Sequence, residues 1–309
     1  MKQWWLRPAV RIGAAALLPV VVPAIITVML WALPGDPVSI ICPEELCTGG
    51  EALAEKWNLH KGPMHFYGKW LSAAMGGDFG ATWRWQAGTP ISGLMAESTP
   101  TTLLLLGFAL ISVGFGTVVG ASQRLPSQVL AVAQVVGLVP GIVLALVGAA
   151  WIELTYGAAS FMGTAAWARL FVGAGVIGLA DGALSGAIGG TDGLFRSESR
   201  QRYVGIAILR GERVLSNTLP NVTPALAGQL RARTLHLLSG AVIVEAVVGI
   251  DGLGDLLLRG ALNQDFGLVL ASATAFSLLS SALLFGQALV EVATAVVVRR
   301  SPAGVVEGS

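Results

Sequence analysis

Asp181, His236 and Glu245 are ionisable residues within long apolar stretches of the chain, so they are the first candidates for chemistry. Each could act as an acid, a base or a ligand, and ionisable groups at membrane depth are functional candidates by default. Each also has a structural interpretation: Glu245 would cap or pair locally, His236 would hydrogen-bond a neighbouring helix, and Asp181 would face a polar cavity. The spacing does not place them at one depth, and we favour the structural interpretation for each.

Sequence motifs for common enzyme chemistry are missing from the chain. It contains no G-x-x-x-x-G-K-[ST] phosphate loop, and therefore no obvious means of hydrolysing ATP itself. H-E-x-x-H and G-x-S-x-G are also absent, and the remaining histidines, His60 and His65, lie far from His236 in the sequence. We therefore expect no catalytic residue, metal site or bound cofactor in this chain.

The chain has two cysteines, Cys42 and Cys47. They could close a small disulfide loop, which would persist outside the cytoplasm, or they could remain free thiols. A lone cysteine pair supplies too few ligands for a metal site, and no histidine is nearby until His60. We favour the disulfide and do not expect metal binding.

The elements that must position these residues are long apolar runs. Hydrophobic residues make up 54% of the 309 residues, charged residues only 12%, and the mean hydropathy is +0.72. A soluble domain is about 25% charged, and a net charge of +1 gives no electrostatic reason to expect nucleic acid as a partner. Apolar runs of about 20 residues cross a bilayer as helices. The sequence predicts six such spans, at 12–33, 100–121, 128–152, 167–190, 222–249 and 267–298.

The basic residues set the predicted orientation. With the N-terminus in the cytoplasm, most of the 19 Lys and Arg residues fall in cytoplasmic segments. The first run is too long for the core of a signal peptide, so we interpret it as a membrane span. Both termini are then cytoplasmic, and 34–99 is an external segment. Indole rings favour the headgroup level of a bilayer, so we interpret this segment as interfacial from its tryptophans, which include Trp57, Trp70, Trp83 and Trp85.

Four local motifs, taken in order, resemble the permease subunits of binding-protein-dependent ABC importers of the dipeptide, oligopeptide and nickel group. The first is the turn Pro34-Gly35-Asp36-Pro37. The second runs over 57–83 and includes Asp78, Phe79 and Gly80. The third covers 90–103, and the fourth contains Glu245, Gly249, Gly252 and Gly254, followed by 263–266. Each motif alone is weak, but together they extend the resemblance over nearly the whole chain.

The resemblance also implies a cytoplasmic coupling loop at 191–221. In this family a short coupling helix docks in a groove of the ATPase subunit, and the alternative interpretation is an amphipathic surface helix. Two departures alter the expected geometry: the interval from Gly211 to Pro220 is shorter than the family pattern, and the glycines of 189–193 should loosen a helix end. The residues that match the family's loop are Tyr203, Val204, Ala207, Gly211, Leu219 and Pro220.

The fold that the resemblance implies is an all-α integral membrane protein. It has six transmembrane helices, an external subdomain between helices 1 and 2, and a cytoplasmic coupling helix between helices 4 and 5. The expected organisation is an N-terminus with the first helix (1–33), an external segment (34–99), a permease core (100–298) and a cytoplasmic tail (299–309). The expected location is the plasma (inner) membrane of a prokaryote.

The function that the resemblance implies is that of a permease subunit of an ATP-driven importer. Its partners would be a second permease subunit, two ATPase subunits that carry the ATP and Mg, an external solute-binding protein and the lipid bilayer. Peptides are the expected cargo class, and nickel chelates and other small solutes stay open. The alternatives are a degenerate, non-transporting scaffold subunit, a membrane enzyme, and an ion-coupled secondary transporter, which would need inverted repeats and paired midplane acids.

Overall fold

The computed structural model describes residues 6–34, 37–41, 50–122, 126–157 and 163–300, and within these ranges the chain is helical without a β-strand. Helix accounts for 86% of it, and one isolated bridge joins Ala81 to Pro90. The helices are α1 Leu6–Ala32, α2 Pro37–Ile41, α3 Gly50–Trp57, α4 Pro63–Met75, α5 Ile91–Ser122, α6 Ser127–Gly137, α7 Gly141–Tyr156, α8 Gly163–Leu179, α9 Ala183–Ser199, α10 Arg202–Leu209, α11 Val214–Val248, α12 Leu253–Leu262 and α13 Phe266–Arg300.

Four helical segments among the described residues are long and apolar enough to cross a membrane: Ala9–Ala32, Ile91–Ser122, Ala165–Ser199 and Phe266–Ala293. The pair α6 and α7 is bent by 79° at its break and would together make a fifth span. The helix α11 covers all but the last residue of the predicted span 222–249 but is not in this group; it contains Arg231 and Arg233 near its middle and Glu245 near its end. The prediction of an all-helical, multi-pass membrane protein is therefore confirmed, and the number six stays a prediction.

The chain divides into two compact units. The first comprises Met1–Ala15, Leu105–Gly240 and Ala282–Ser309, and the second comprises Ala16–Leu104 and Ala241–Ser281. The boundary falls within α1, α5, α11 and α13. The coupling residues predicted from the sequence belong to the first unit, and the motif residues that follow Gly240 belong to the second.

Close helix contacts organise the first unit. Helix α6 packs on α9, and α7 packs on α8. Glycines on α5 allow a similar approach to α9: a Cβ atom on Gly116 would lie 2.9 Å from the Leu184 side chain, and one on Gly120 would collide with the carbonyl oxygen of Ile188. Small residues allow helix backbones to approach closely where no hydrophobic driving force exists between helices in lipid. The packing of α9 therefore depends on these positions.

An aromatic core organises the second unit. Phe66 is completely buried, and its ring centroid lies 5.6–6.4 Å from the rings of Trp31, Trp57, Trp83 and Phe266. Trp57 and Trp70 are only 5% and 2% exposed. The rings of these two tryptophans therefore fill the core of the subdomain, and the interfacial position of segment 34–99 stays a prediction.

Candidate functional site

The short helix α10 carries three of the six predicted coupling residues and has one buried and one exposed face. Val204 is completely buried and Ala207 is 6% exposed, and the helix packs on α9 through this part of the chain. On the exposed side Ile206 is 52%, Ile208 51% and Leu209 88% exposed. A helix of eight residues is too short to be stable alone in water, so α10 depends on its packing while leaving apolar side chains available.

Gly211 ends α10 with a backbone conformation that glycine favours. Its φ is +76°, in the left-handed region, and the backbone N–H of Glu212 reaches back to the carbonyl oxygen of Ala207 at 3.0 Å. This pattern is a helix C-cap in which a left-handed residue follows the last turn. A residue with a side chain would be strained at this position, so Gly211 fixes the exit of the chain from α10.

Tyr203 ties α10 to both neighbouring helices. Its hydroxyl donates to the carboxylate of Glu198 at the end of α9 and accepts from the amide of Asn221 on α11, at 2.7 Å for the latter. Burial and the hydrogen bond to Glu198 raise the pKa of the Tyr203 phenol above its usual value. The hydroxyl therefore keeps its proton at neutral pH and can make both hydrogen bonds.

The structure differs from the expected loop on both sides of α10. Leu219 and Pro220 lie within α11, which begins at Val214, so the short interval after Gly211 is filled by helix. The glycines at 189, 190 and 193 were expected to loosen a helix end, but α9 continues through all of them. A Cβ atom added to Gly190 would lie 3.0 Å from the side chain of Gln229 on α11. Close packing at Gly190 therefore outweighs the poor helix propensity of glycine.

Glu245 forms a second candidate site, in the second unit. Its side chain is completely buried. One carboxylate oxygen accepts from the hydroxyl of Thr102 on α5 at 2.7 Å, and the other accepts from the backbone N–H groups of Gly254 and Asp255 at 2.7 and 3.3 Å. The Thr102 hydroxyl in turn accepts from the N–H of Leu253 at 2.8 Å. The local cap predicted for Glu245 is confirmed, and it fastens the start of α12 to α5 and α11.

Gly252 and Gly254 leave the space that this carboxylate occupies. A Cβ atom on Gly252 would collide with the Glu245 carboxylate, and one on Gly254 would lie 2.5 Å from the Cα atom of Val242. Gly249 has a φ of +74° and ends α11 just before this turn. The glycines of the fourth motif are therefore required by the geometry around Glu245.

Asp255 lies beside this site and is 8% exposed. Its carboxylate is 2.6 Å from the Nε atom of Arg259, which also pairs with Asp251 at 3.0 Å. Burial raises the pKa of the Asp255 carboxyl, and Arg259 opposes that shift. Across the ranges that the structure describes, no three His, Cys, Asp or Glu side chains are placed to hold a metal ion.

The earlier motifs have structural roles in the second unit. Asp78 accepts from the N–H of Gly80 at 2.9 Å, and Gly80 lies directly against the Trp57 ring. The Phe79 ring is 6.4 Å from that of Trp70. In the first motif, Pro37 begins α2, and Pro34 follows the end of α1. The remaining predicted residues, Gly35, Asp36, Cys42 and Cys47, lie outside the described residues, so the disulfide stays a prediction.

Asp265 is a functional candidate that the sequence analysis did not single out. It is completely buried, and one of its oxygens accepts from the N–H groups of Trp83, Arg84 and Trp85 at 2.7–3.1 Å. The other accepts from Leu268 at 3.1 Å, as an N-cap of α13 does. An aspartate directly before an apolar run could have predicted the cap, but not the contact with a loop about 180 residues away in sequence.

His236 and Asp181 are separate from these sites. The side chain of His236 is exposed, and its predicted hydrogen bond to a neighbouring helix is not found among the residues that the structure describes. Asp181 is also exposed, and its carboxylate accepts from the N–H of Gly141 at 3.1 Å. The local structural role predicted for Glu245 is therefore confirmed, whereas the polar cavity predicted at Asp181 stays a prediction.

Comparison with known proteins adds an independent finding on the C-terminal part of the chain. Residues 209–300 match the family described as binding-protein-dependent transport system inner membrane component. The chain is also 34% identical over 95 residues to the oligopeptide transport system permease protein AppB of Bacillus subtilis (strain 168). That alignment covers 29% of this chain and 30% of the relative. The predicted resemblance is therefore confirmed, and the matched segment contains Gly211, Pro220 and Glu245.

Proposed function

We propose, from the inner membrane component domain in residues 209–300, that the chain is the permease subunit of an ATP-driven importer that depends on an external binding protein. The observation that carries the proposal is that this domain begins at the end of α10 in the sequence, and that α10 is a short helix with an exposed apolar side. A membrane subunit without its own ATPase needs a surface through which an ATPase can act on it. Helix α10 is the candidate for that surface.

The exposed side of α10 has the composition of a docking surface. Ile206, Ile208 and Leu209 offer apolar side chains, and exposed arginines flank them at positions 200, 202 and 210. Such a helix can seat its apolar residues in a groove of a partner, with the arginines placed for acidic or carbonyl groups at the rim. The buried side of α10 packs on α9, and the Tyr203 hydroxyl hydrogen-bonds both α9 and α11. A force on α10 would therefore pass to these two helices.

The proposed topology keeps six spans with both termini in the cytoplasm and 34–99 outside. The bent pair α6 and α7 would be the third span, and α11 the fifth. At about 1.5 Å per residue, the 35 residues of α11 exceed the thickness of a bilayer. Two of its polar residues contact protein, as a span requires: Gln229 lies on Gly190, and Arg233 donates to the carbonyl oxygen of Gly182 at 3.2 Å. The proposed location is the inner membrane of a prokaryote.

The proposed partners follow from the importer function. A second permease would complete the translocation path, two ATPases carrying ATP and Mg would dock one on each permease, and an external solute-binding protein would deliver the cargo. Peptides are the proposed cargo class, which agrees with the name of the AppB relative. ATP binding can shift the path only if it favours one conformation of the complex over another.

A pull-down of the tagged chain in mild detergent tests this proposal. We expect mass spectrometry to find an ATPase and a second multi-span protein with the wild-type chain. Leu209→Glu should abolish recovery of the ATPase, because it places a charge at the most exposed apolar position of α10. Leu262→Glu is the matched control, since Leu262 is 74% exposed at the end of α12 and should leave recovery unchanged. Recovery of the wild-type chain without any ATPase would contradict the proposed function.

A further inference from the structure

Two apolar spans of the first unit are broken, and the two breaks lie side by side. Helices α6 and α7 meet at 79° across residues 138–140. Helices α8 and α9 are separated by a single 3-10 turn, Ala180–Gly182, in which Asp181 has a φ of +50° and a ψ of +28°. The backbone N–H of Asp181 donates to the carbonyl oxygen of Val139 at 3.4 Å. We call residues 138–141 and 180–182 the junction.

The Asp181 carboxylate closes the junction. One of its oxygens accepts from the N–H of Gly141, the first residue of α7, at 3.1 Å. A Cβ atom on Gly141 would lie 2.6 Å from the other oxygen, so Gly141 leaves the room that the carboxylate uses. Left-handed backbone is unfavourable for most residues, but Asp and Asn adopt it more readily. The residue type at 181 therefore suits both the backbone and the cap.

The junction separates two helix pairs. On one side α6 packs on α9, and Gly137 lies against Ser185. A Cβ atom added to Gly137 would lie 3.1 Å from the Cα atom of Gly182. On the other side α7 packs on α8. Each pair is joined laterally by packing, and the two breaks connect the pairs. Helix α5 also contacts both pairs, through Ser112 against Gly178 on α8 and Gly116 against Leu184 on α9. A helix break with few hydrogen bonds is where a change in backbone angles is absorbed during domain movements.

Helices α9, α10 and α11 are braced to one another at three levels. The Arg233 guanidinium bonds the Gly182 carbonyl oxygen and lies directly on Gly186, and Gln229 lies on Gly190 one turn further along α9. At the cytoplasmic end proposed for α9, Tyr203 joins Glu198 to Asn221. These contacts connect α10 to the junction along the whole length of α9.

We propose that Asp181 is the positioning residue of a pivot through which movement of α10 reaches the membrane spans. This inference rests on the proposed function, because it assigns a consequence to ATPase docking on α10. The braced helices α9, α10 and α11 would turn as one body, carrying α6 with them. The Asp181 carboxylate would keep the start of α7 attached to that body, so that α7 and α8 follow.

Two reporter positions test the pivot in the complex with its ATPases. In a chain with Cys42 and Cys47 replaced by serine, single cysteines at Ile208 on α10 or Ile142 on α7 would carry an environment-sensitive fluorophore. Both side chains are 51% exposed, so their labelling is matched. Addition of ATP and vanadate to the wild-type complex in nanodiscs should change the signal at both positions. Each labelled chain is first tested for recovery of the ATPase, because Ile208 lies on the proposed docking surface. No ATPase with the unlabelled wild-type chain, or no response at Ile208 in a labelled complex that retains the ATPase, would contradict the proposed function itself.

Substitutions of Asp181 separate the carboxylate from the backbone. Asp181→Asn keeps an acceptor for the Gly141 N–H and a tolerance for left-handed backbone, so both reporters should respond. Asp181→Ala should keep the response at Ile208 but reduce that at Ile142 by at least about fivefold, the lower end of ordinary coupling between sites. Asp181→Gly relieves the backbone without restoring the cap and should behave as alanine does.

A matched control uses the other aspartate of the same region. Asp192 on α9 pairs with Arg196 one turn away and lies outside the junction, so Asp192→Ala should respond as the wild type does. A full response at Ile142 in Asp181→Ala would overturn the proposal. A full response in Asp181→Gly alone would overturn the role of the carboxylate, because glycine restores only the backbone. Both results can be interpreted only when the signal at Ile208 changes as it does in the wild type.

Discussion

Glu245 in the second unit and Asp181 in the first unit hold helix starts in contrasting ways. Each is a carboxylate within a predicted span, and each accepts from a backbone N–H at the first turn of a helix, α12 for Glu245 and α7 for Asp181. Glu245 is completely buried and has three donors on two helices. Asp181 is exposed, has one such donor and sits in left-handed backbone. The same kind of carboxylate cap is therefore fully buried in one unit and exposed in the other.

The difference shows what makes a polar contact rigid. Around Glu245, glycines at 252 and 254 allow the backbone to enclose the carboxylate, so that loss of one bond leaves a buried group without a partner. Such a group costs about 1–3 kcal/mol. Around Asp181 the carboxylate is exposed and only one N–H group, that of Gly141, would lose its acceptor, so the break can open at lower cost. We expect substitutions to separate the two sites in stability and in function.

The largest loss of stability is expected for Glu245→Ala. Three buried donors, the Thr102 hydroxyl and the N–H groups of Gly254 and Asp255, would lose their acceptor. We expect the free energy of unfolding in mixed SDS micelles to fall by at least about 3 kcal/mol. Glu245→Gln keeps an oxygen for the two N–H groups but removes the acceptor of the Thr102 hydroxyl, so it should lose less than alanine does, about 1–2 kcal/mol. Equal losses for both variants would show that packing, not hydrogen bonding, holds α12.

A smaller loss is expected for Gly254→Ala. The added Cβ would lie 2.5 Å from the Cα atom of Val242, and backbone cannot move away as a flexible side chain can. Overpacking of this kind costs about 2 kcal/mol. Gly107→Ala is the matched control, because Gly107 lies within α5 with open space around it and should be neutral or slightly stabilising. Thermal unfolding of both variants in detergent would check the difference, and equal melting temperatures would contradict the close packing at Gly254.

The parts of the fold that depend on neighbours in sequence could be predicted, and those that depend on distant contacts could not. The apolar runs gave the helical membrane protein because hydropathy is a local property, and the cap by Glu245 lies only 9 residues from Gly254. The contact of Glu245 with Thr102 spans 143 residues, and no periodicity reports it. Composition also could not distinguish an interfacial tryptophan from a core tryptophan, as Trp70 illustrates.

The break at Asp181 illustrates the same limit for the candidate site. The sequence marked Asp181 as a charge inside an apolar run, but nothing in that run or in 128–152 indicated that Val139 and Asp181 are hydrogen-bonded. Propensity also misled at 189–193, where α9 continues because Gly190 accepts Gln229 of another helix. Tertiary packing therefore decided both the breaks and the continuity of the helices in this unit.

The smallest loss of stability is expected for Asp181→Ala, and it sharpens the comparison with Glu245. Alanine removes one helix cap, which costs about 1 kcal/mol, and leaves a single N–H group, that of the buried Gly141, without this acceptor. Unfolding in the same mixed micelles should therefore change little, while the fluorescence response at Ile142 is lost. A variant that folds normally but no longer passes movement from α10 to α7 separates positioning from stability. A loss of stability as large as that of Glu245→Ala would instead show that the junction is as rigid as the Glu245 site and that Asp181 serves only to stabilise the fold.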